Sequence, residues 1–599
     1  MTSISGEPIP AITEATLTDI ATNGIWGDGL TPSASTLGVA EALLAALRGE
    51  AGVQLPPVLA ELVGEVRAKA ETDLHGIDGA GDVRLSGLAI KLRDGEPHPA
   101  VIVPAGWNPF GWLPFLHLYL KLAQKGYHVL AYTPRGIGIK GWLSTSGGHI
   151  DVGGDKDWAD GSKVIDFAER YFSPTKIGFL GESYGSGISQ LVAAHDPQNR
   201  VSAVVALSTW GNLATSLYAN GTRHLAAVEA LIGFTGGEME EKFDEEGRRI
   251  LTDFRNGVNL DAVVEWGTKR SPQTYVDKTN ERGIPTFISN TWHETLFPVG
   301  PVIETFEALT VPKHLNLWIG DHGAPEGPGL VGLSAGWPFP GLAVPIQEAY
   351  DWLDHHLLGV ANDVPNWSQV INQSMFTYET TGTGIGGRRI TVPAHRQSYS
   401  SWSEVTTGGE TWNLTGEGTL SDKPTAGWSQ DFIAGNPTEA DAGQLLKTGE
   451  KEWFGNPKRY DPEQFESSRL LSWSTEALTA QGGDAARRIR GAAEVRLTVR
   501  STTDTATLVA YLFDIAPDGT ARIITHEPYT ETGLTPGEDA TVSWKLQATS
   551  YDVAAEHRLA LVVNSADPLY LPGAWAQVVS TTIVSSPRGS ESRLELPLG

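Results

Sequence analysis

Near residue 360 the hydrophobic rhythm of the chain changes, and the two halves cannot share one architecture. Before that point short apolar runs alternate with helix-length segments. Ala100–Pro104 is followed by a helical pattern over Leu113–Gln124 that ends near Gly126, and then by His128–Tyr132. A helical Asp157–Tyr171, the run Lys176–Leu180, a helical Ile188–Ala194 and the run Val201–Leu207 come next. The alternation resumes with Pro285–Ser289, a helix over Val302–Leu309, the run Leu315–Ile319 and a helix over Ile346–Leu358. Buried strands separated by helices of roughly 10–15 residues argue for a largely parallel sheet covered on both faces. Val83–Leu92 alternates and is expected at the edge of that sheet. Past 360 the helical signal fades. Glu494–Val499, Thr507–Phe513, Thr541–Trp544 and Arg558–Val563 alternate apolar with polar residues, and turns such as Pro517-Asp518-Gly519 separate them. That rhythm predicts an all-β sandwich or jelly roll.

The chain of 599 residues is long enough for about three or four domains. The expected order is an N-terminal helical arm (1–82) with helices at Ala34–Leu47 and Leu55–Ala70, then the α/β core in two parts (83–209 and 283–360). A helical cap (210–282) interrupts the core, and a β-sandwich (361–599) follows it. The cap is expected over a site, because insertions between core strands carry function.

Composition narrows the chemistry. Lys plus Arg number 44 against 71 Asp plus Glu, a formal charge of −27, which disfavours nucleic acid and anionic membrane as partners. There is no cysteine, which removes thiolate nucleophiles, disulfides and thiolate metal sites. No signal-peptide pattern opens the sequence and no apolar run of about 18 residues occurs, so a cytoplasmic location is expected.

The run Lys176–Leu180 leads into Gly181-Glu182-Ser183-Tyr184-Gly185 and then directly into a helix. GxSxG between a strand and a helix is the setting of a nucleophilic serine on a strained turn. The same string at Gly332–Gly336, around Ser334, has no strand before it. A serine nucleophile needs a base and an orienting carboxylate, which in this arrangement follow it in the order acid, then histidine. Glu294 lies just past the run Pro285–Ser289, and His322 just past Leu315–Ile319, with Asp321 and His293 as the local competitors. Catalytic groups in open α/β sheets collect at the carboxyl ends of the strands. Gly136-Ile137-Gly138-Ile139-Lys140-Gly141 spells a dinucleotide fingerprint but no helix opens after it, so it reads as a loop. The acidic run 238–246 reads most simply as a solvated helix face, with a ring of carboxylates for a substrate ammonium as the alternative.

These residues together resemble peptidase family S15, the group of Xaa-Pro dipeptidyl-peptidases and cocaine esterases. Arg135-Gly136-Ile137-Gly138 resembles the family's Arg-Gly-x-Gly loop, and Asp160-Gly161 its Asp-Gly before the serine turn. Ile284-Pro285 through Trp292-His293-Glu294 resembles its Ile-Pro strand ending in Trp-x-Asp. Glu494–Ser501, Tyr511-Leu512-Phe513-Asp514 and His557–Ser565 resemble its jelly roll. The resemblance implies an α/β-hydrolase core with Ser183 as nucleophile, His322 as base, Glu294 as acid and the Tyr184 backbone N–H as an oxyanion donor. Two departures stand out. The acid is Glu rather than Asp, and Ala105-Gly106-Trp107-Asn108 replaces the family's Pro-Tyr. The second oxyanion donor is then a backbone N–H, the Trp107 indole or the Asn108 amide.

The resulting expectation is an esterase working through an acyl-enzyme on a carboxylic ester, aromatic acyl esters and lactones included. No cofactor or metal is needed. Trp107, Trp210, Trp292 and Glu182 are the candidate substrate contacts. A peptidase or α-amino-acid ester hydrolase, an acyl transferase and an inert binding protein are the alternatives. The β-domain could also support a homodimer or larger homo-oligomer.

Overall fold

The apolar runs of the first half assemble, in a computed structural model, into one ten-stranded sheet. Its strands are β1 (Ala70–Asp78), β2 (Arg84–Leu92), β3 (Ala100–Pro104), β4 (His128–Tyr132), β5 (Ile177–Glu182), β6 (Val201–Leu207), β7 (Thr286–Thr291), β8 (Lys313–Trp318), β9 (Val370–Gln373) and β10 (Arg396–Tyr399). The spatial order is β1-β2-β4-β3-β5-β6-β7-β8-β9-β10. Neighbours from β4 through β9 are parallel, and antiparallel pairings close both ends. The structure describes residues 11–26, 31–332, 343–382, 389–443, 447–480, 485–570 and 580–599. Ser334, in the second GxSxG string, lies outside them.

The central strands are buried along their whole length, which explains why they read as continuous apolar runs rather than alternations. Their side chains serve two cores. Val101, Val103, Val129 and Ala131 pack with the helices Ala34–Leu47, Pro57–Lys69 and Leu116–Lys125. Ala100, Ile102, Leu130 and Tyr132 face the helices Asp155–Phe172 and Tyr184–His195 and the cap on the other side. The N-terminal arm is therefore one of the two helical layers. It also holds the helix Glu14–Asn23, capped reciprocally by Thr13 and Thr16, which has too few apolar residues to show in the sequence pattern.

Two expectations shift. The sheet edge is not β2 but β1, whose sequence AETDLHGID is mostly solvent-facing and carries little apolar alternation. The sheet also runs past residue 360, because β9 and β10 add to it from the segment expected to be sandwich.

The cap, between β6 and β7, contains the helices Leu213–Leu217, Leu225–Gly233, Glu245–Asn256 and Leu260–Thr268. The acidic run serves its local structure: Asp244 caps Glu245–Asn256 and pairs with Lys156 at 2.7 Å, while Glu245 and Glu246 occupy the first turn, where the helix dipole favours them. Lys242 turns inward and donates to the carbonyls of Gly136 and Gly138. The glycine-rich loop is thus bound by a cation of the cap.

Beyond the sheet, a nine-stranded and a four-stranded antiparallel sheet form the C-terminal all-β domain. Its apolar core is continuous with that of the hydrolase body, since Ile288, Val302 and Leu315 cluster with Leu497, Leu512 and Val563. The molecule is an α/β-hydrolase core joined to an all-β domain through shared apolar packing.

Candidate active site

Ser183 sits at the end of β5 with φ 55° and ψ −124°, a backbone conformation side-chain-bearing residues rarely adopt. The flanking glycines make it possible. A Cβ on Gly181 would lie 2.1 Å from the Gly185 carbonyl oxygen, and one on Gly185 would lie 2.1 Å from that of Pro104. The Ser183 N–H donates to the Leu207 carbonyl at 2.9 Å, and the helix Tyr184–His195 starts at once, its positive end at the serine.

His322 approaches from the loop after β8, with Nε2 2.7 Å from Ser183 Oγ. Its Nδ1–H donates to both oxygens of Glu294, at 3.1 and 3.0 Å. Glu294 lies in the turn after β7, and its Oε1 also accepts the N–H groups of Leu296 (3.0 Å) and Phe297 (3.2 Å). The structure therefore brings Ser183, His322 and Glu294 into one hydrogen-bonded line, with every member buried. Burial opposes charging His322, but the carboxylates of Glu294, Glu182 and Asp321 outweigh it and raise its pKa to about 9.

The neighbours of the line have other partners. Asp321 accepts the Thr295 N–H and hydroxyl and the His322 N–H, so it shapes both loops rather than holding the ring. His293 turns away to the β-domain. Its Nδ1 lies 2.9 Å from Glu452 Oε1 and its Nε2 3.1 Å from the Ile524 carbonyl. Two acceptors on one ring require both nitrogens to be protonated. Burial works against that charge, yet Glu452 raises the His293 pKa above its ordinary value.

Several expected contacts go elsewhere. The Trp107 indole N–H donates to the Leu231 carbonyl of the cap at 2.7 Å, and the Asn108 amide to the carbonyls of Gly106 and Gly111. Neither side chain is available as an oxyanion donor. Among the described residues the backbone N–H groups of Trp107 and Tyr184 enter no hydrogen bond. Trp210 is buried against Gly187 with its indole donating to Arg270, and Trp292 is buried with its indole donating to Gln373. Both are packing residues, not walls of the cleft. Their size made them candidates, and size equally suits a core.

The cavity beside Ser183 is lined by Trp26, Gly106, Trp107, Phe115, Glu182 and His322, among others. At about 10 Å³ it has room for roughly one water. Glu182 Oε1 is 3.9 Å from His322 Nε2. Burial, reinforced by Glu326 and Glu294 and opposed by His322, raises Glu182 to about 7. Trp26 and Phe115 escape sequence reasoning, since nothing near them marks a site. Among the described residues no cluster of three or more His, Asp or Glu side chains is arranged to hold a metal ion, and no helix is long and apolar enough to cross a membrane.

The residues that carry the family resemblance also meet. Arg135 donates to both oxygens of Asp160 at 2.7 Å, and Asp160 accepts the Ala80 N–H. Gly161 lets the helix Asp155–Phe172 close on Val192, 2.1 Å from where a Cβ would sit.

Comparison with known proteins agrees with this architecture. The family described as X-Pro dipeptidyl-peptidase (S15 family) matches residues 92–324, and the X-Pro dipeptidyl-peptidase C-terminal non-catalytic domain matches residues 369–574. No curated protein matches the sequence. Among solved structures, an α-amino acid ester hydrolase superposes with a TM-score of 0.66 at 14% identity, covering 89% of this chain and 97% of that one. An aminopeptidase from a marine sediment Thaumarchaeota archaeon gives 0.65 at 14% identity, over 88% of this chain and 96% of that one. A CocE/NonD family hydrolase from Staphylococcus aureus gives 0.62 at 12% identity, over 89% and 93%. At such identities these likenesses concern the fold. With the first match enclosing the serine turn and both loops that meet it, and the second spanning most of the all-β domain, the chain belongs to peptidase family S15 and is a serine hydrolase.

Proposed function

We propose that the protein hydrolyses small carboxylic esters through an acyl-enzyme, with Ser183 as nucleophile, His322 as base and Glu294 as the carboxylate that orients it. The observation that carries this reading is the unbroken line from Ser183 Oγ through both ring nitrogens of His322 to Glu294. Ser183 attacks the carbonyl carbon while its proton passes to Nε2. The imidazolium that forms is stabilised by Glu294 and returns the proton to the leaving alkoxide. Water, deprotonated by the same nitrogen, then releases the acid. The free N–H groups of Tyr184 and Trp107 are the proposed oxyanion donors. Aromatic walls and a small cavity favour a compact, flat acyl group.

A second reading has one specific support. The Glu182 carboxyl borders the cleft and accepts no hydrogen bond from any described residue, so it could receive a substrate ammonium group. That would suit an amino-acid ester or an Xaa-Pro peptide, the chemistry named in the family description and in the α-amino acid ester hydrolase title.

The test compares p-nitrophenyl butyrate with an Xaa-Pro p-nitroanilide and labels the protein with a fluorophosphonate. Ester preference is expected. Ser183→Ala should abolish labelling and lower turnover by about 10⁴-fold or more. Preference for the anilide would replace the ester reading, and labelling that survives in Ser183→Ala would remove the mechanism.

A further inference from the structure

Residues 11–69 lie outside both family matches, yet this segment sends one side chain into the catalytic cavity. Trp26 lines it together with Ser183, His322 and Glu182. The residue is 9% exposed, and its indole Nε1 is buried without a hydrogen-bond partner. A few other indole nitrogens are also buried without a partner, but of these Trp26 alone borders the cavity that holds the serine. A buried donor left unmade is unfavourable, and in a binding site it is ready for an acceptor that arrives with the ligand.

The position of Trp26 is set by contacts on three sides. The Ile25 carbonyl accepts the Ser33 N–H at 2.8 Å and the Thr36 hydroxyl at 2.9 Å. The Ile25 N–H donates to the Glu450 carboxylate of the β-domain. The Ile25 side chain packs on Gly327, 2.8 Å from where a Cβ would sit. Gly323, the residue after the histidine, separates Trp26 from Glu182: a Cβ there would lie 3.6 Å from Trp26 Cζ2 and 2.9 Å from Glu182 Oε1. Cζ2 adjoins the ring carbon that bears Nε1, so the edge of the indole next to its N–H faces Gly323, beside Glu182.

We propose that the N-terminal arm is part of the substrate-binding site and that Trp26 donates its indole N–H to an acceptor oxygen on the bound ester. The site then favours acyl or alkoxy groups that carry an ether, carbonyl or hydroxyl oxygen over hydrocarbon groups of the same shape. This inference rests on the ester-hydrolase reading above.

The experiment uses the full chain and two pairs of near-isosteres. p-Nitrophenyl methoxyacetate against p-nitrophenyl butyrate probes the acyl side, and 2-methoxyethyl butyrate against n-butyl butyrate probes the alkoxy side. The readout is the ratio of kcat/KM within each pair, which cancels general losses of activity. In Trp26→Phe, which keeps a ring and removes the N–H, one of the two ratios should fall about tenfold, the effect of one lost hydrogen bond. Trp26→Leu should show the same fall, and either variant suffices where the other does not fold. Both ratios within twofold of the parent chain in an active variant would overturn the proposal. Turnover surviving in Ser183→Ala would instead fail the serine mechanism, so the two failures are distinguishable.

Discussion

The serine turn and the two loops that meet it are built in opposite ways. At the turn most of what is needed is within a few residues. The left-handed backbone of Ser183 and the close contact of Gly181 with the Gly185 carbonyl lie within one five-residue string between a strand and a helix, and Gly185 adds a contact with the Pro104 carbonyl of β3. The loops carrying Glu294 and His322 depend on residues far away in the chain. His293, next to Glu294, is fixed by Glu452 and by the Ile524 carbonyl. Asp321, next to His322, packs against Gly449, where a Cβ would lie 2.0 Å from its own Cβ. The position of Ser183 rests mainly on steric contacts at its turn, whereas the loops of Glu294 and His322 are also braced by a second domain. A domain described as non-catalytic in the family thus holds the loops in register through a buried ion pair.

Three substitutions probe that contrast. The largest effect is expected at the turn. Gly185→Ala drives a methyl into the Pro104 carbonyl, and backbone on both sides cannot yield. Stability should fall by about 3 kcal/mol or more in thermal unfolding, and fluorophosphonate labelling should be lost with it. Normal labelling in this variant would show that the turn is not sterically determined.

Glu452→Gln acts on the loops from the β-domain. It removes the charge that offsets the buried His293 imidazolium and should lower stability by about 2 kcal/mol, with a roughly tenfold drop in kcat as the Glu294 loop shifts. The sign with pH is definite. His293 is raised above its unfolded value of about 6.5, so the pair's contribution is full below that pH and fades as pH rises through the folded value. Melting temperatures of the parent chain should show this fade and those of Glu452→Gln should lack it. Equal pH dependence in both would dissolve the link between the domains.

The smallest effect concerns the balance around the base. Glu182 and Glu294 both raise His322, whose neutral form is the one able to accept the serine proton. The kcat/KM for an ester should therefore rise with pH toward about 9 in the parent chain. In Glu182→Gln the rising limb should move to lower pH, by about one unit or less. A limb that stays in place, or moves upward, would show that Glu182 does not act on the imidazole.

Much of the core was legible because its signals are local and periodic. The helix Ala34–Leu47 and the strands β3 and β4 follow directly from apolar spacing. So does the serine string, which combines glycines, strand and helix in one stretch. The β-domain strands Glu494–Ser501 and Arg558–Asn564 show by alternation. The misses have a common cause. β1 is an edge strand with one ladder and a solvated face, so it needs no apolar pattern. Trp210 and Trp292 were placed at the cleft because they follow core strands, but which way an indole turns depends on partners such as Arg270 and Gln373, found 60 and 81 residues away. Trp26 lies in a segment with no chemical signature, yet it borders the serine.

By itself the sequence determined the α/β-hydrolase core, the all-β tail, the strained serine and the order in which Glu294 and His322 follow it. Each of these rests on steric or periodic rules that act within a few residues. Only the tertiary structure decided that the Trp107 and Asn108 side chains are spent on cap and loop carbonyls, that the Glu294 loop is anchored to Glu452 through His293, and that the arm walls the cavity. Hydrogen-bond donors and buried charges take whichever partner the fold brings within about 3 Å, and that choice is made across hundreds of residues rather than along the chain.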